Sequence, residues 1–106
     1  MTSIAPVTGA PFARILGVGS YRPQRVVTNE EICERIDSTD EWIRQRSGIV
    51  ERRFAAADET VADMAVAAGK GAIAAAGLSG ADIDCVIIAT VTHLMATPSA
   101  AAEVAH

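Results

Sequence analysis

The sequence has few of the residues that build a bulky core or a covalent framework. Its 106 residues include one Trp, one Tyr and two Phe. Half of the chain is hydrophobic by count, but alanine dominates that half, and each alanine buries little area. The two cysteines, Cys33 and Cys85, cannot form a disulfide framework and suit a reducing compartment. We therefore expect a cytoplasmic protein with a thin core.

Long apolar runs and secretory features are also missing. No stretch of about 18 uncharged apolar residues is present, so we expect no transmembrane helix and no membrane partner. Residues 1–12 lack a basic start followed by an apolar segment, and we predict a flexible N-terminal extension there rather than a secretory signal. Residues 13–106 are long enough for one domain and too short for two. The formal net charge of −4 disfavours a nucleic-acid partner.

Sites for metals and cofactors are not indicated either. Histidines and cysteines do not occur at ligand spacing, which argues against zinc. Residues 17–22 begin like a dinucleotide-binding fingerprint, but Arg22 occupies the place of the third glycine and Pro23 follows it. No helix can open there to receive a pyrophosphate. We expect neither a metal nor a cofactor.

No nucleophile is evidently paired with a base. Cys85 and His93 are eight residues apart, which is roughly 25 Å along an extended strand. We predict that Cys85 is a structural residue at the start of a buried strand, and that Cys33 is inert. His93 follows that strand, where α/β sheets place functional loops, but no partner carboxylate accompanies it. The residues by themselves therefore indicate no thiol–imidazole pair.

The first half of the chain is predicted to alternate between strands and helices. Residues 14–18 are predicted as a strand, and Thr28 as the N-cap of a helix over residues 29–36. Residues 49–54 are predicted to be extended.

Between these segments, a second helix is marked at both ends. Ser38 and Glu41 have capping-box spacing, in which each side chain accepts a hydrogen bond from the other residue's backbone N–H. The helix that they start should end near Ser47, where Gly48 supplies a left-handed residue.

The second half of the chain predicts a third helix with a face of small residues. Thr60 and Asp63 repeat the capping-box spacing, and the helix should run over residues 61–76 and end at Gly77. Its apolar face is nearly all alanine, so we expect it to approach a neighbouring element closely.

A continuous apolar run indicates the fold class. Residues 85–90 form a β-branched run that predicts a strand covered on both faces, as in a parallel sheet between helix layers. A further helix is predicted from Pro98, a good first-turn residue. A buried parallel strand needs neighbours, and this chain supplies about two. The pattern predicts an α/β protein that is the front portion of a larger α/β domain.

The best candidate for a binding site is the pair formed by Trp42 and Arg46. Positions four apart on a helix lie on one face, where an indole and a guanidinium can grip a flat aromatic ring and leave positive charge for phosphate. Residues 44–53 carry four arginines and one acid, which suits a small polyanionic ligand such as a nucleotide. An alternative interpretation is an exposed pair that merely covers apolar surface.

Several motifs, in order and at matching spacing, resemble the N-terminal part of β-ketoacyl-[acyl-carrier-protein] synthase III, the initiating condensing enzyme of bacterial fatty acid synthesis. The motifs are GVGSYRP at 17–23, VTN at 27–29, STDEWI at 38–43, RSGI at 46–49, ATVTH at 89–93 and TPS at 97–99. The resemblance implies a partial thiolase-like αβαβα fold, a homodimer, and a reaction between a short acyl-CoA and malonyl-acyl carrier protein. Acyl-CoA would be a substrate rather than a cofactor.

The same resemblance assigns roles to four residues of this chain. Trp42 and Arg46 would stack on and bracket the adenine of CoA, and Ser38 would contact it by a hydrogen bond. Thr97 would reach the end of the partner subunit's acyl pocket. The family's catalytic cysteine, histidine and asparagine fall beyond His106, so we expect the 106-residue chain by itself to be inactive.

Two alternatives to the fatty-acid enzyme remain. A thiolase-like paralogue of polyketide or other specialised metabolism would share the adenine-binding motif and differ mainly in the acyl pocket. A non-catalytic remnant that binds CoA, or docks onto a complete synthase, would fit if the chain proved well folded and monomeric.

Overall fold

The computed structural model describes residues 9–106. Most of the predicted flexible extension, residues 1–8, lies outside the described part. The regular elements, in chain order, are β1 (Arg25–Thr28), α1 (Asn29–Cys33), α2 (Asp40–Ser47), β2 (Glu51–Phe54), α3 (Val61–Ala76), a 3-10 turn (Gly80–Asp82) and α4 (Ala100–Ala105). No helix in residues 9–106 is long and apolar enough to cross a membrane.

A two-stranded antiparallel sheet holds the first half of the fold together. β1 pairs with β2 so that Arg25 lies opposite Phe54 and Thr28 lies opposite Glu51. Helices α1 and α2 form the connection between the two strands and contact each other. Val27, in the centre of β1, is 1% exposed. The sheet therefore fixes both ends of the segment that carries α2.

The predicted caps of α1 and α3 are confirmed. The Thr28 hydroxyl accepts a hydrogen bond from the backbone N–H of Glu31 at 3.3 Å, although α1 is shorter than predicted and ends at Cys33. At α3, Thr60 and Asp63 form the reciprocal capping box, with N–H to side-chain oxygen distances of 2.8 and 3.1 Å. Hydrogen bonds donated to the Asp63 carboxylate by the Thr60 hydroxyl first, and then by the Thr60 backbone N–H, hold the pKa of Asp63 below its ordinary value.

Helix α3 is approached very closely by the chain around Gly17 and Gly19. A Cβ atom placed on Gly19 would overlap the backbone of α3 at Ala68 and Ala72, and would lie 2.8 Å from the carbonyl carbon of Gly71. A Cβ on Gly17 would meet α3 in the same way. The predicted face of small residues therefore does allow close approach, and the two glycines complete the contact.

Two predicted strands are absent from the structure. Residues 14–18 and 85–90 do not form strands. The sheet found in the described part of the chain consists of β1 and β2. The prediction that residues 85–90 are covered on both faces is wrong here, since Ile87 is 85% exposed. A strand is defined by a hydrogen-bonded neighbour, and neither segment pairs with another among residues 9–106.

The apolar residues of these two segments are consequently left uncovered. Ile15, Val18 and Ile87 are all more than three-quarters exposed, whereas Val27 and Ala100 are the buried apolar residues of the described part. Helix α4 begins after Ser99, whose side chain accepts a hydrogen bond from the N–H of Ala102, and it packs on α3. The prediction of a helix starting near Pro98 is confirmed to within two residues.

Candidate functional site

Helix α2 carries the predicted binding pair, and its ends are set by local chemistry. The N-cap is Thr39, whose hydroxyl accepts a hydrogen bond from the backbone N–H of Trp42 at 3.2 Å. The predicted capping box between Ser38 and Glu41 is therefore wrong by one residue. Gly48, with φ of 70°, ends the helix as predicted. Because Thr39 binds the backbone of Trp42, the first turn that presents the indole is held by its own cap.

The side chains of Trp42 and Arg46 contact each other on the exposed face of α2. The Arg46 guanidinium carbon lies 5.6 Å from the centre of the indole ring, which is within the range of a cation–π interaction. The Trp42 residue remains 55% exposed. An aromatic surface of this size with a cation beside it is available to a flat ligand that carries negative charge.

The remaining arginines of the predicted basic patch are used within the protein. Arg44 donates to Asp40 at 2.8 Å across one turn of α2. Arg52 donates to the Asn29 side chain at 2.6 Å and to a backbone carbonyl of β1. Arg53 donates to the carbonyls of residues 23 and 24 at 3.4 Å. The patch predicted from residues 44–53 is thus largely structural. Arg46 is the arginine of this patch whose side chain forms neither a hydrogen bond nor an ion pair among residues 9–106.

The charge of Arg44 is compensated by Asp40. Hydrogen bonds from Arg44 first, and then from Asn29, hold the pKa of the Asp40 carboxyl below its ordinary value of 3.8. The same hydrogen bond raises the pKa of Arg44. Asp40 is therefore ionised near neutral pH and offsets Arg44, so the cation that α2 leaves for a ligand is Arg46.

Asn29 is a residue of this region that the sequence analysis missed. It is 0% exposed, and its amide nitrogen donates to the Asp40 carboxylate at 2.7 Å and to the Ile49 carbonyl at 2.8 Å. Its amide oxygen accepts from Arg52. Asn29 belongs to one of the resemblance motifs, VTN, but nothing in its local pattern indicates that the side chain is buried between α2 and β2.

The other two predicted site residues lie in different settings. The Ser38 hydroxyl is buried and has no hydrogen-bond partner within residues 9–106, so it is not presented to solvent as Trp42 is. Thr97 is exposed in the loop before α4. Helix α4 packs on α3, whereas α2 packs on α1. The structure therefore brings Trp42 and Arg46 together and leaves Thr97 on a separate part of the chain.

The residues considered for catalysis or metal binding form no cluster. His93 lies with Nε2 3.4 Å from the carbonyl oxygen of Pro98. Cys85 is exposed, which corrects the prediction that it begins a buried strand, and Cys33 is half-buried. In the part of the chain that the structure describes, no group of three His, Cys, Asp or Glu side chains could hold a metal ion.

Comparison with known proteins shows one consistent similarity. The chain is 57% identical over 105 residues to a mycobacterial β-ketoacyl-[acyl-carrier-protein] synthase III from Mycolicibacterium paratuberculosis, covering 99% of this chain and 31% of that protein. No family model matches the chain. Because the alignment covers 31% of each of these relatives, the chain spans about a third of the length of the curated relatives that it matches.

Solved structures show the same similarity. The priming β-ketosynthase of the R1128 polyketide pathway superimposes with a TM-score of 0.87 at 48% identity, over 96% of this chain and 30% of that one. The 3-oxoacyl-[acyl-carrier-protein] synthase III of Aquifex aeolicus superimposes with a TM-score of 0.80 at 43% identity, over 86% and 29%. At these identities, the partial α/β fold of this chain is that of the corresponding third of those enzymes.

Proposed function

We propose that the chain belongs to the β-ketoacyl-[acyl-carrier-protein] synthase III family, to whose members it is similar over 99% of its length, and that it forms the CoA-binding edge of such an enzyme. The observation that carries this proposal is the exposed Trp42 indole with Arg46 beside it and with no acid neutralising that arginine among residues 9–106. The indole offers a flat apolar surface to the adenine ring. The guanidinium offers a cation to the phosphates of CoA. Ser38 would add a hydrogen bond at the edge of the adenine once its hydroxyl turns outward.

The proposed reaction starts fatty acid synthesis. A cysteine thiolate attacks the acyl-CoA thioester, which forms an acyl-enzyme and releases CoA. Malonyl-acyl carrier protein then loses CO₂, and its carbanion attacks the acyl-enzyme, forming the new carbon–carbon bond and releasing the thiolate. This chain supplies binding and orientation for the first step. By itself it has no thiol–imidazole pair in place among residues 9–106, and we expect it to be inactive alone.

The proposed partners follow from this reaction. They are an acyl-CoA, an acyl carrier protein and a second copy of the subunit in a homodimer. The large exposed side chains around residues 87–95 support a further protein surface packing there. The two unpaired thiols support a location in the cytoplasm.

A second candidate function is priming of a polyketide pathway. The observation in its favour is the similarity to the R1128 priming ketosynthase. The two candidates share the proposed adenine contact and differ in the acyl primer and the carrier protein. Condensation assays with fatty-acid and polyketide acyl carrier proteins would separate them.

The proposed CoA contact can be tested with the chain's own fluorescence. Trp42 is the single tryptophan, so its emission reports on one position. We expect CoA and adenosine 3′,5′-bisphosphate to quench this emission saturably, because the adenine stacks on the indole. 4′-Phosphopantetheine, which lacks the adenosine half, should leave the emission unchanged.

N-acetyltryptophanamide given the same additions corrects for absorption by the adenine. Calorimetry of the same mixtures shows which of the three compounds binds. Equal quenching by 4′-phosphopantetheine, or binding of CoA without any change in emission, would contradict the adenine assignment.

A separate prediction concerns Thr97. If its side chain lines the end of the partner's acyl pocket, Thr97→Phe should shift primer preference toward shorter acyl-CoAs, since a phenyl ring would fill the space. The measurement is the ratio of condensation rates with acetyl-CoA and a medium-chain acyl-CoA in the complete enzyme. Thr97→Ser, which adds no volume, is the matched control and should keep the ratio. Unchanged use of long primers by Thr97→Phe would show that Thr97 does not line the pocket.

A further inference from the structure

The carboxamide of Asn29 connects both ends of α2 to the β-sheet. Asp40 is the first residue of α2, and Ile49 follows the glycine that ends it. The two amide N–H bonds of Asn29 go to the carboxylate of Asp40 at 2.7 Å and to the carbonyl of Ile49 at 2.8 Å. One small side chain therefore holds the entry and the exit of the helix that carries Trp42 and Arg46.

The other end of the carboxamide is fixed to β2. Its oxygen accepts from the Arg52 guanidinium at 2.6 Å, and Arg52 also donates to the Thr28 carbonyl of β1 at 3.2 Å. Asn29 itself is 0% exposed. The carboxamide of Asn29 is therefore shielded from water, and leaving its donors or its acceptor unpaired would be costly.

We propose that Asn29 is a positioning residue for adenine recognition, acting by holding α2, and thus the Trp42–Arg46 pair, in a fixed orientation on the sheet. The inference rests on the proposed function. The exposed side chains of Trp42 and Arg46 form no hydrogen bond or ion pair among residues 9–106 that would hold their helix on the sheet, whereas Asn29 contacts that helix at both ends. Small changes in the orientation of binding groups reduce the affinity gained from them.

The test compares two ligands in the complete natural protein. Asn29→Asp keeps the acceptor for Arg52, removes the donors to Asp40 and Ile49, and places two carboxylates side by side. We expect it to weaken CoA binding about tenfold while 4′-phosphopantetheine binding changes less than about twofold, since only CoA reaches α2. The measured quantity is the affinity for CoA divided by the affinity for 4′-phosphopantetheine, both determined by calorimetry.

Thr60→Ala is the matched control for loss of stability. It removes the capping box of α3, which destabilises that helix, and α3 does not carry the binding pair. We expect this variant to melt at a lower temperature with the affinity ratio unchanged. A purely structural role for Asn29 would make Asn29→Asp behave like Thr60→Ala.

Exchanging the two partners provides a rescue. In Asn29→Asp combined with Asp40→Asn, the new amide at position 40 can donate to the new carboxylate at position 29. Asn29→Asp alone is expected to lower the ratio of CoA affinity to 4′-phosphopantetheine affinity. We expect the double variant to recover at least half of that decrease in the logarithm of the ratio. If Asn29→Asp does not fold, Asp40→Ala tests the same link while Asn29 stays in place, and it should also lower the ratio.

The outcomes separate this inference from the proposed function. An unchanged affinity ratio in both Asn29→Asp and Asp40→Ala, with Trp42→Ala lowering it, would overturn the role of Asn29 and keep the adenine site. An unchanged ratio in Trp42→Ala would remove the adenine site itself.

Discussion

A methyl group at position 19 is expected to lower the free energy of unfolding by about 3 kcal/mol, the upper part of the range for overpacked sites. The Cβ of Gly19→Ala would overlap backbone atoms of α3 at Ala68 and Ala72. Backbone in the middle of a helix cannot move aside as a flexible side chain can. The chain around Gly19 must therefore separate from α3. Urea unfolding followed by circular dichroism measures the change.

Gly69→Ala is the matched control for this substitution. Gly69 lies within α3, and a Cβ there would meet nothing within 4 Å. Since alanine is the better helix former, we expect this variant to gain about 0.5–1 kcal/mol. Similar effects of the two substitutions would contradict the close approach of the Gly19 segment to α3.

Truncating the indole of Trp42 is expected to weaken CoA binding by about 1–3 kcal/mol, the size of a lost stacking partner for a base. This corresponds to roughly 5- to 150-fold in affinity, since about 1.4 kcal/mol is a factor of ten. The loss should appear with adenosine 3′,5′-bisphosphate as well, because in the proposed site that compound is the half of CoA that would contact α2. Calorimetric titration of Trp42→Ala in the complete natural protein gives both values.

The protein contains a second arginine–aromatic pair that serves as a control. Arg25 lies over the ring of Phe54 at 5.7 Å from its centre, and Phe54 is 40% exposed. Arg25 also forms an ion pair with Glu31, so its charge is compensated, unlike that of Arg46. We expect Phe54→Ala to leave CoA affinity unchanged. If Phe54→Ala weakened CoA binding and Trp42→Ala did not, the ligand would bind at the sheet and not on α2.

The features that the sequence predicted well are those determined by neighbouring residues. Helix α3 has the predicted bounds because a capping box at Thr60 and a left-handed glycine at Gly77 are short-range signals. Contact between Trp42 and Arg46 followed from their spacing of one turn. The cap of α2 was misplaced by one residue because Ser38 and Thr39 are both suitable caps, and the sequence alone does not choose between them.

The features that it predicted poorly depend on residues far apart in the chain. The run at residues 85–90 has the composition of a buried strand, yet composition supplies no hydrogen-bonded neighbour. The arginines of residues 44–53 predict a ligand patch by their spacing, yet the partner of Arg52, Asn29, lies in another element more than twenty residues away. Pairing across such separations is decided by the tertiary fold and leaves no local pattern.

The contact between Gly19 and α3 also has a consequence for how the fold responds to temperature. It is formed by glycine, alanine and backbone atoms, so separating the two elements exposes little hydrocarbon surface to water. The heat-capacity change of unfolding grows with the apolar area exposed, by about 0.45 cal/K/mol per Å². This contact therefore contributes little heat capacity, and its strength should vary less between cold and warm conditions than that of a contact between large apolar side chains.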